Sequence, residues 1–173
     1  MELKKVIRNI PDFPKDGIIF RDITPLIQDP VAFSDAIELF HDRYHKKHID
    51  IIAGIESRGF IFGAALAHRL GVGFIPIRKK NKLPWKTISQ EYELEYGTDA
   101  LEMHMDAVTH GQKVLLVDDL IATGGSLSAA GMLIQRLEGE IIEAAVVIEL
   151  VDLKGRENIA PIKLFSLIKF EGK

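Results

Sequence analysis

The sequence predicts an α/β domain built on a central, mostly parallel sheet flanked by helices. Three observations lead there. Short aliphatic runs recur at 49–55, 74–77, 113–117, 144–148 and 163–168. Helical periodicity separates most of them, and strand–helix alternation is the signature of a parallel sheet covered on both faces. The chain has 173 residues, 47% apolar and 27% charged, which suits one domain with its own core.

Taken in order, Pro11-Asp-Phe-Pro14 and Thr24-Pro25 frame a short irregular stretch at 17–22. Asp29-Pro30 then opens a helix, and Phe33, Ile37, Phe40 and Tyr44 share one face at spacings of four, three and four. The run at 49–55 reads as a buried strand and ends in Glu56-Ser-Arg-Gly59. A helix over about 60–70, apolar on most sides, is predicted to pack between other elements, with Gly71-Val-Gly73 as its stop.

Residues 78–98 break the rhythm. Arg78-Lys-Lys-Asn-Lys-Leu-Pro84 is basic and aperiodic. Tyr92, Leu94 and Tyr96 then alternate with Glu91, Glu93 and Glu95, Gly97-Thr-Asp99 turns the chain, and Leu101, Met103 and Met105 alternate again. That pattern predicts a β-hairpin with a mobile N-terminal part, and it places Met103 and Met105 in the core. Lys113-Val-Leu-Leu-Val117 is the clearest buried strand, residues 118–125 read as a loop, and Leu127, Ala130, Ile134 and Leu137 mark the next helix. Lys154-Gly-Arg156 reads as a surface turn.

Composition excludes several classes of function. With no cysteine there is no disulfide, thiolate nucleophile or thiolate metal site, which suits a reducing compartment. A net charge of -3 gives no global attraction to nucleic acid or an anionic membrane. No apolar run approaches the ~20 residues that span a bilayer, and the first residues lack a signal peptide's apolar stretch. The expectation is a cytoplasmic protein.

The chemistry concentrates in Val114-Leu-Leu-Val-Asp-Asp-Leu-Ile-Ala-Thr-Gly-Gly-Ser126. A buried parallel strand delivers its C-terminal end to the sheet edge where ligands bind in open α/β folds. Two carboxylates, Asp118 and Asp119, sit there, and a loop of small residues runs straight into a helix. Gly124 and Gly125 let backbone approach a ligand, the helix N-terminus attracts an anion, and Thr123 and Ser126 add hydroxyls. An anion cradle beside two acceptors fits a ribose 5-phosphate: phosphate on Ala122, Thr123, Gly124, Gly125 and Ser126, hydroxyls on the aspartates. The plainer reading is helix-capping aspartates before an ordinary glycine turn. Adjacent buried carboxylates without partners are costly, which weighs against it. There is no G-x-x-x-x-G-K-[ST] loop, and no G-x-G-x-x-G follows the first strand, so P-loop and dinucleotide folds are excluded.

The same segment resembles the phosphoribosyl-pyrophosphate signature of type I phosphoribosyltransferases. Ile19-Phe-Arg-Asp-Ile-Thr-Pro25, Gly54-Ile-Glu-Ser-Arg-Gly-Phe60, Lys82-Leu-Pro84 and Leu94-Glu-Tyr-Gly97 are similar to the base-binding segment, pyrophosphate loop, flexible loop and hairpin of the adenine phosphoribosyltransferases. The resemblance runs in order from about 11 to about 153. It implies the type I fold in one domain, with a small N-terminal base-binding hood over about 1–28 and a flexible loop over about 78–98. It implies a purine-salvage reaction, adenine plus 5-phosphoribosyl 1-pyrophosphate giving AMP and pyrophosphate, in a homodimer. It also implies Mg2+ held mainly through the substrate and water, as suits a hard ion.

Residue roles follow from the resemblance. Asp118 and Asp119 orient the ribose hydroxyls and stabilise charge developing on the sugar. Glu56, Ser57, Arg58, Arg78 and Lys82 face the pyrophosphate, with the residue matching Arg78 able to reach across a dimer interface. Ile19, Phe20 and Arg21 line the adenine pocket, and Glu95 takes the base's proton. The family also implies a cis peptide between Glu56 and Ser57. Arg78 and Lys82 in a solvated loop, and Glu95 as an exposed strand residue, are the alternatives from composition and alternation alone.

Two other readings stay in view. One is a phosphoribosyltransferase for xanthine, guanine or orotate. The other is a regulator of the same fold that binds nucleic acid, for which a basic face and a lost catalytic loop would speak. His41, His45 and His48 with Asp42 suggest a metal site, with His41 and His45 four apart on one helix face, but Asp42 replaces the Glu of the zinc-protease pattern, no third ligand is placed, and such a cluster on a charged helix end reads as solvated.

Overall fold

The computed structural model describes residues 2–94 and 97–172. Strands β1 (Arg8–Pro11) and β2 (Ile19–Asp22) pair antiparallel and stand apart from the main sheet. The turn between them is tied by the Asp12 carboxylate, which accepts from the Gly17 N–H at 2.9 Å. Helices α1 (Thr24–Gln28) and α2 (Pro30–Tyr44) follow, separated by Asp29. Its carboxylate accepts from the N–H groups of Val31 and Ala32, satisfying two donors that a helix start leaves unpaired. The expected α2 face is buried at Ile37, Phe40 and Tyr44, with Phe33 packed at its rim.

Strand β3 (Ile51–Ile55) leads into α3 (Glu56–Leu70), and Gly71 ends that helix in the left-handed region (φ 71°), where a Cβ is strained. Next come β4 (Gly73–Lys79), the hairpin β5 (Thr87–Glu93) and β6 (Thr98–His104), β7 (Lys113–Ile121), α4 (Gly125–Arg136), β8 (Glu140–Leu150), α5 (Gly155–Asn158) and β9 (Leu164–Phe170). The sheet order is β5-β6-β4-β3-β7-β8-β9, parallel from β4 to β9 and antiparallel at the hairpin.

Alternation on β7 divides the core. Leu115 and Val117 face α2 and α3, while Val114 and Leu116 face α4 and the hairpin. From β3 the chain crosses to β4 on one side, and from β7 it crosses to β8 on the other. The C-terminal ends of β3 and β7 are neighbours, with Gly54 opposite Val117. This is the topological switch point, where open α/β sheets leave a crevice.

Two expectations need correction here. Met103 is buried but Met105 is 50% exposed, because β6 ends at His104 and the alternation lapses. Residues 118–121 belong to β7, which keeps pairing with β8 as far as Ile121 opposite Glu149.

On the far side of the sheet, buried Glu143 of β8 holds the end of α2. It accepts from Arg43 at 2.6 and 3.0 Å and from Lys47 at 3.0 Å. Burial alone would raise its pKa, but these donors outweigh it and bring it down to about 2. The stabilisation is therefore present above the ordinary carboxyl value and is lost as pH falls through about 2. Glu143→Gln should cost about 1.5–3 kcal/mol at neutral pH. Denaturant melts of both proteins between pH 7 and pH 2 should converge at the acid end; a gap that is constant with pH would refute the pairing's role.

Candidate active site

A cavity of about 600 Å³ opens at the switch point, lined among others by Glu56, Ser57, Arg58, Asp118, Asp119 and the loop 122–126. Each part arrives there for a local reason. β3 ends at Ile55, and Glu56 takes a left-handed backbone (φ 41°) that turns the chain sharply into α3. Its carboxylate accepts from the Lys79 N–H at 3.0 Å, which ties this turn to the end of β4. The expected cis peptide between Glu56 and Ser57 is not found. The two cis peptides among the described residues precede Pro14 and Pro161, and the reversal at Glu56 is made by its φ instead.

Asp118 and Asp119 are 8% and 5% exposed at the end of β7. Arg58, from the first turn of α3, pairs with Asp119 (Nε to Oδ2, 2.6 Å). Asp118 accepts from the Asp119 N–H at 2.8 Å and has no ion pair among the described residues. Burial, and then the neighbouring Asp119 charge, push its pKa well above the ordinary carboxylate value. Charge on Asp118 is thus disfavoured as the site stands, and a cation-like centre or hydroxyl donors arriving beside the pair would relieve it.

Beyond it the loop turns at Gly124 (φ 88°) into α4, so the unpaired N–H groups of the first helical turn border the cavity. A Cβ at Gly124 would lie 2.8 Å from the Gly155 carbonyl oxygen. Gly155 itself packs against the Ala122 carbonyl oxygen, so the reading of 154–156 as a plain surface turn is corrected: the segment is the floor beneath the loop. Arg156 secures it by a paired contact with buried Glu149 at 2.6 and 2.8 Å.

Other predicted residues stand further off. Arg78 lies 3.5 Å from Glu56 and donates weakly to the Lys82 carbonyl at 3.4 Å. Lys82 is exposed, and its ammonium has no partner among the described residues. Ile19, Phe20 and Arg21 do not line the cavity. Phe20 approaches it through Arg58, whose guanidinium carbon is 5.7 Å from the ring centroid. The Arg21 side chain is spent elsewhere, on Asn9 at 2.6 Å and over the Phe170 ring at 4.2 Å. Glu95 lies outside the described residues.

Sequence reasoning missed Lys79, which lines the cavity. Asp99 of β6 pairs with it at 3.0 Å, which raises the Lys79 pKa and lowers that of Asp99. Only the β4–β6 pairing brings these two together. The ligand atoms of His41, Asp42 and His45 gather within 4.8 Å at the C-terminal end of α2, none of them lining the cavity, and His45 Nδ1 already lies 3.1 Å from two backbone carbonyls.

Comparison with known proteins agrees with this geometry. Residues 26–172 match the phosphoribosyl transferase domain family. The adenine phosphoribosyltransferase of Halothermothrix orenii is 59% identical over 169 residues, covering 98% of this chain and 99% of that one. The crystal structure of the Thermoanaerobacter pseudethanolicus enzyme superposes with a TM-score of 0.95 at 52% identity, over 98% of both chains. That of the Saccharomyces cerevisiae enzyme, complexed with an imino-altritol bisphosphate and adenine, gives 0.90 at 44% identity over 96% of this chain and 97% of its own. With a glycine loop and paired aspartates at the switch point, and full-length likeness on both counts, this chain belongs to the phosphoribosyltransferase family, among the adenine phosphoribosyltransferases.

Proposed function

We propose that the switch-point cavity is where this chain joins adenine to 5-phosphoribosyl 1-pyrophosphate, releasing AMP and pyrophosphate. The observation that carries this is the buried Asp118–Asp119 pair set between Arg58 and the glycine loop. The loop 122–126 seats the 5-phosphate on helix-start N–H groups and the Thr123 and Ser126 hydroxyls. The aspartates accept from the ribose hydroxyls, and their charge stabilises the sugar as its bond to pyrophosphate breaks and the bond to the ring nitrogen forms. Arg58, Ser57 and the backbone around Glu56 meet the leaving pyrophosphate, with Arg78 and Lys82 supplying further positive charge as the loop about 78–98 closes. Closure excludes water that would hydrolyse the activated sugar.

Ile19, Phe20 and Arg21, from the hood over about 1–28, are assigned to the adenine side, with Phe20 beside Arg58 as their link to the cavity. The ring proton goes to Glu95, next in sequence to cavity-lining Leu94.

The oxygen donors suit magnesium: Asp118 is a hard ligand without a paired cation, and Asp119 is partly spent on Arg58. The two would hold it through water and the ribose hydroxyls, and when bound it supplies screening of the pyrophosphate charge. No helix among the described residues is long and apolar enough to cross a membrane. We place the chain in the cytoplasm, as a homodimer with Arg78 near the partner.

Purified protein with magnesium, phosphoribosyl pyrophosphate and adenine, guanine, hypoxanthine, xanthine or orotate in turn should form a mononucleotide with adenine alone. Turnover of another base would overturn the pocket assignment. Binding of the sugar phosphate without turnover of any base would instead favour the regulator.

A further inference from the structure

We infer that Asn158, outside the cavity, is a positioning residue for the phosphate loop. Its side-chain amide donates to the Thr123 carbonyl at 2.8 Å. Asn158 does not line the main cavity. It lines a second, smaller one of about 370 Å³ that shares Tyr92, Glu93, Thr123, Gly124 and Gly125 with the first.

A trans peptide sends its C=O and N–H in opposite directions. With the Thr123 oxygen held out toward Asn158, the N–H of Gly124 is turned back toward the main cavity. The wrong orientation of this one peptide would replace a donor with a carbonyl oxygen in front of the phosphate. The loop cannot enforce the choice itself. Gly124 has no side chain to restrict it, and peptides at glycine turn over more readily than others.

The anchor for Asn158 is independent of the ligand. α5 has four residues, too few to be stable alone. Arg156 fastens it by three hydrogen bonds, two to Glu149 at 2.6 and 2.8 Å and one to the Leu164 carbonyl at 2.6 Å. Ser166 donates to the same Glu149 at 2.5 Å. Strands β8 and β9 thus fix α5, α5 fixes Asn158, and Asn158 fixes the Thr123–Gly124 peptide. The inference rests on the loop 122–126 being the seat of the 5-phosphate.

The test compares wild type, Asn158→Ala, Asn158→Ser and the double variant Thr123→Ala/Ser126→Ala. KM for phosphoribosyl pyrophosphate and for adenine are measured with Mg2+ present, together with titration of ribose 5-phosphate and the melting temperature. Asn158→Ala should raise KM for phosphoribosyl pyrophosphate and Kd for ribose 5-phosphate about three- to tenfold, the range of one lost hydrogen bond. KM for adenine should stay within about twofold, and melting should hardly move, since Asn158 is exposed. Asn158→Ser, which keeps a donor, should recover part of the loss. A general structural role would shift melting and both KM values together. If the double variant loses ribose 5-phosphate affinity while Asn158→Ala does not, Asn158 is no positioning residue and the seat stands. If neither variant loses affinity, the phosphate sits elsewhere and both ideas fall.

Discussion

Replacing Asp118 and Asp119 together by asparagine is expected to lower turnover by about three orders of magnitude while leaving the fold intact. Asparagine keeps the shape and the acceptor oxygen for the Asp119 N–H, but not the charge that stabilises a cation-like sugar. The single variant Asp118→Asn should at the same time melt higher than wild type at neutral pH. Asp118 is buried beside a second carboxylate, and its folded-state pKa is raised well above 3.8, first by burial and then by Asp119. A raised folded pKa means that the native state holds the proton more tightly than the unfolded chain. Stability is then complete below about pH 4 and is lost as pH rises through the folded value. The gain from asparagine should therefore appear above that range and vanish below it. Melting curves from pH 3 to 8 check the sign, and stopped-time assays of AMP check the rate. Near-normal turnover in the double variant would remove the aspartates from the mechanism. A lower melting temperature for Asp118→Asn at pH 7 would mean that Asp118 is stabilised by something other than the ligand it awaits. Such stability traded for function is common at active sites.

Gly155→Ala is expected to damage substrate binding although Gly155 does not itself line the cavity. The new methyl would fall on the Ala122 carbonyl oxygen and 2.7 Å from Ile121 Cγ1. Ile121 ends a buried strand paired on β8 and cannot yield, so the phosphate loop or α5 must move. Overpacking of this kind costs about 1–3 kcal/mol of stability. Displacement of the loop should weaken phosphoribosyl pyrophosphate binding more than tenfold, since misplacement by about 1 Å is enough to cost that much in a preorganised site. Gly73→Ala is the control: its methyl would meet only the Ile51 side chain, at 3.4 Å. Titration calorimetry on both variants decides the matter. Wild-type affinity in Gly155→Ala would show that the floor does not set the loop.

Much of the site is legible because its chemistry is local. A glycine pair between a buried strand and a helix, with two carboxylates just before it, states its purpose within thirteen residues of chain. Strand periodicity at Val114–Val117, the cap at Asp29 and the stop at Gly71 are likewise short-range, and each stands where the sequence puts it. The alternation through Met105 misled because a strand's end depends on its partner, and β6 runs out of pairing at His104.

Longer-range features could not be read the same way. Lys79 meets Asp99 only because the hairpin folds back onto β4, and the Arg21 side chain is drawn to Asn9 and the Phe170 ring because both lie across from it. Glu56 turns by a left-handed backbone because the crossover from β3 to α3 must begin at once. By itself, then, the sequence determined the fold class and the glycine loop with its two carboxylates, since these depend on neighbours a few residues away. The tertiary structure alone decided what stands behind the cradle. Gly155 and Asn158 lie 33 to 35 positions downstream of the loop residues they support, from Ala122–Gly155 to Thr123–Asn158, and the Glu149–Arg156 pair holds them there. Contacts of that separation are set by strand order, which no local pattern encodes.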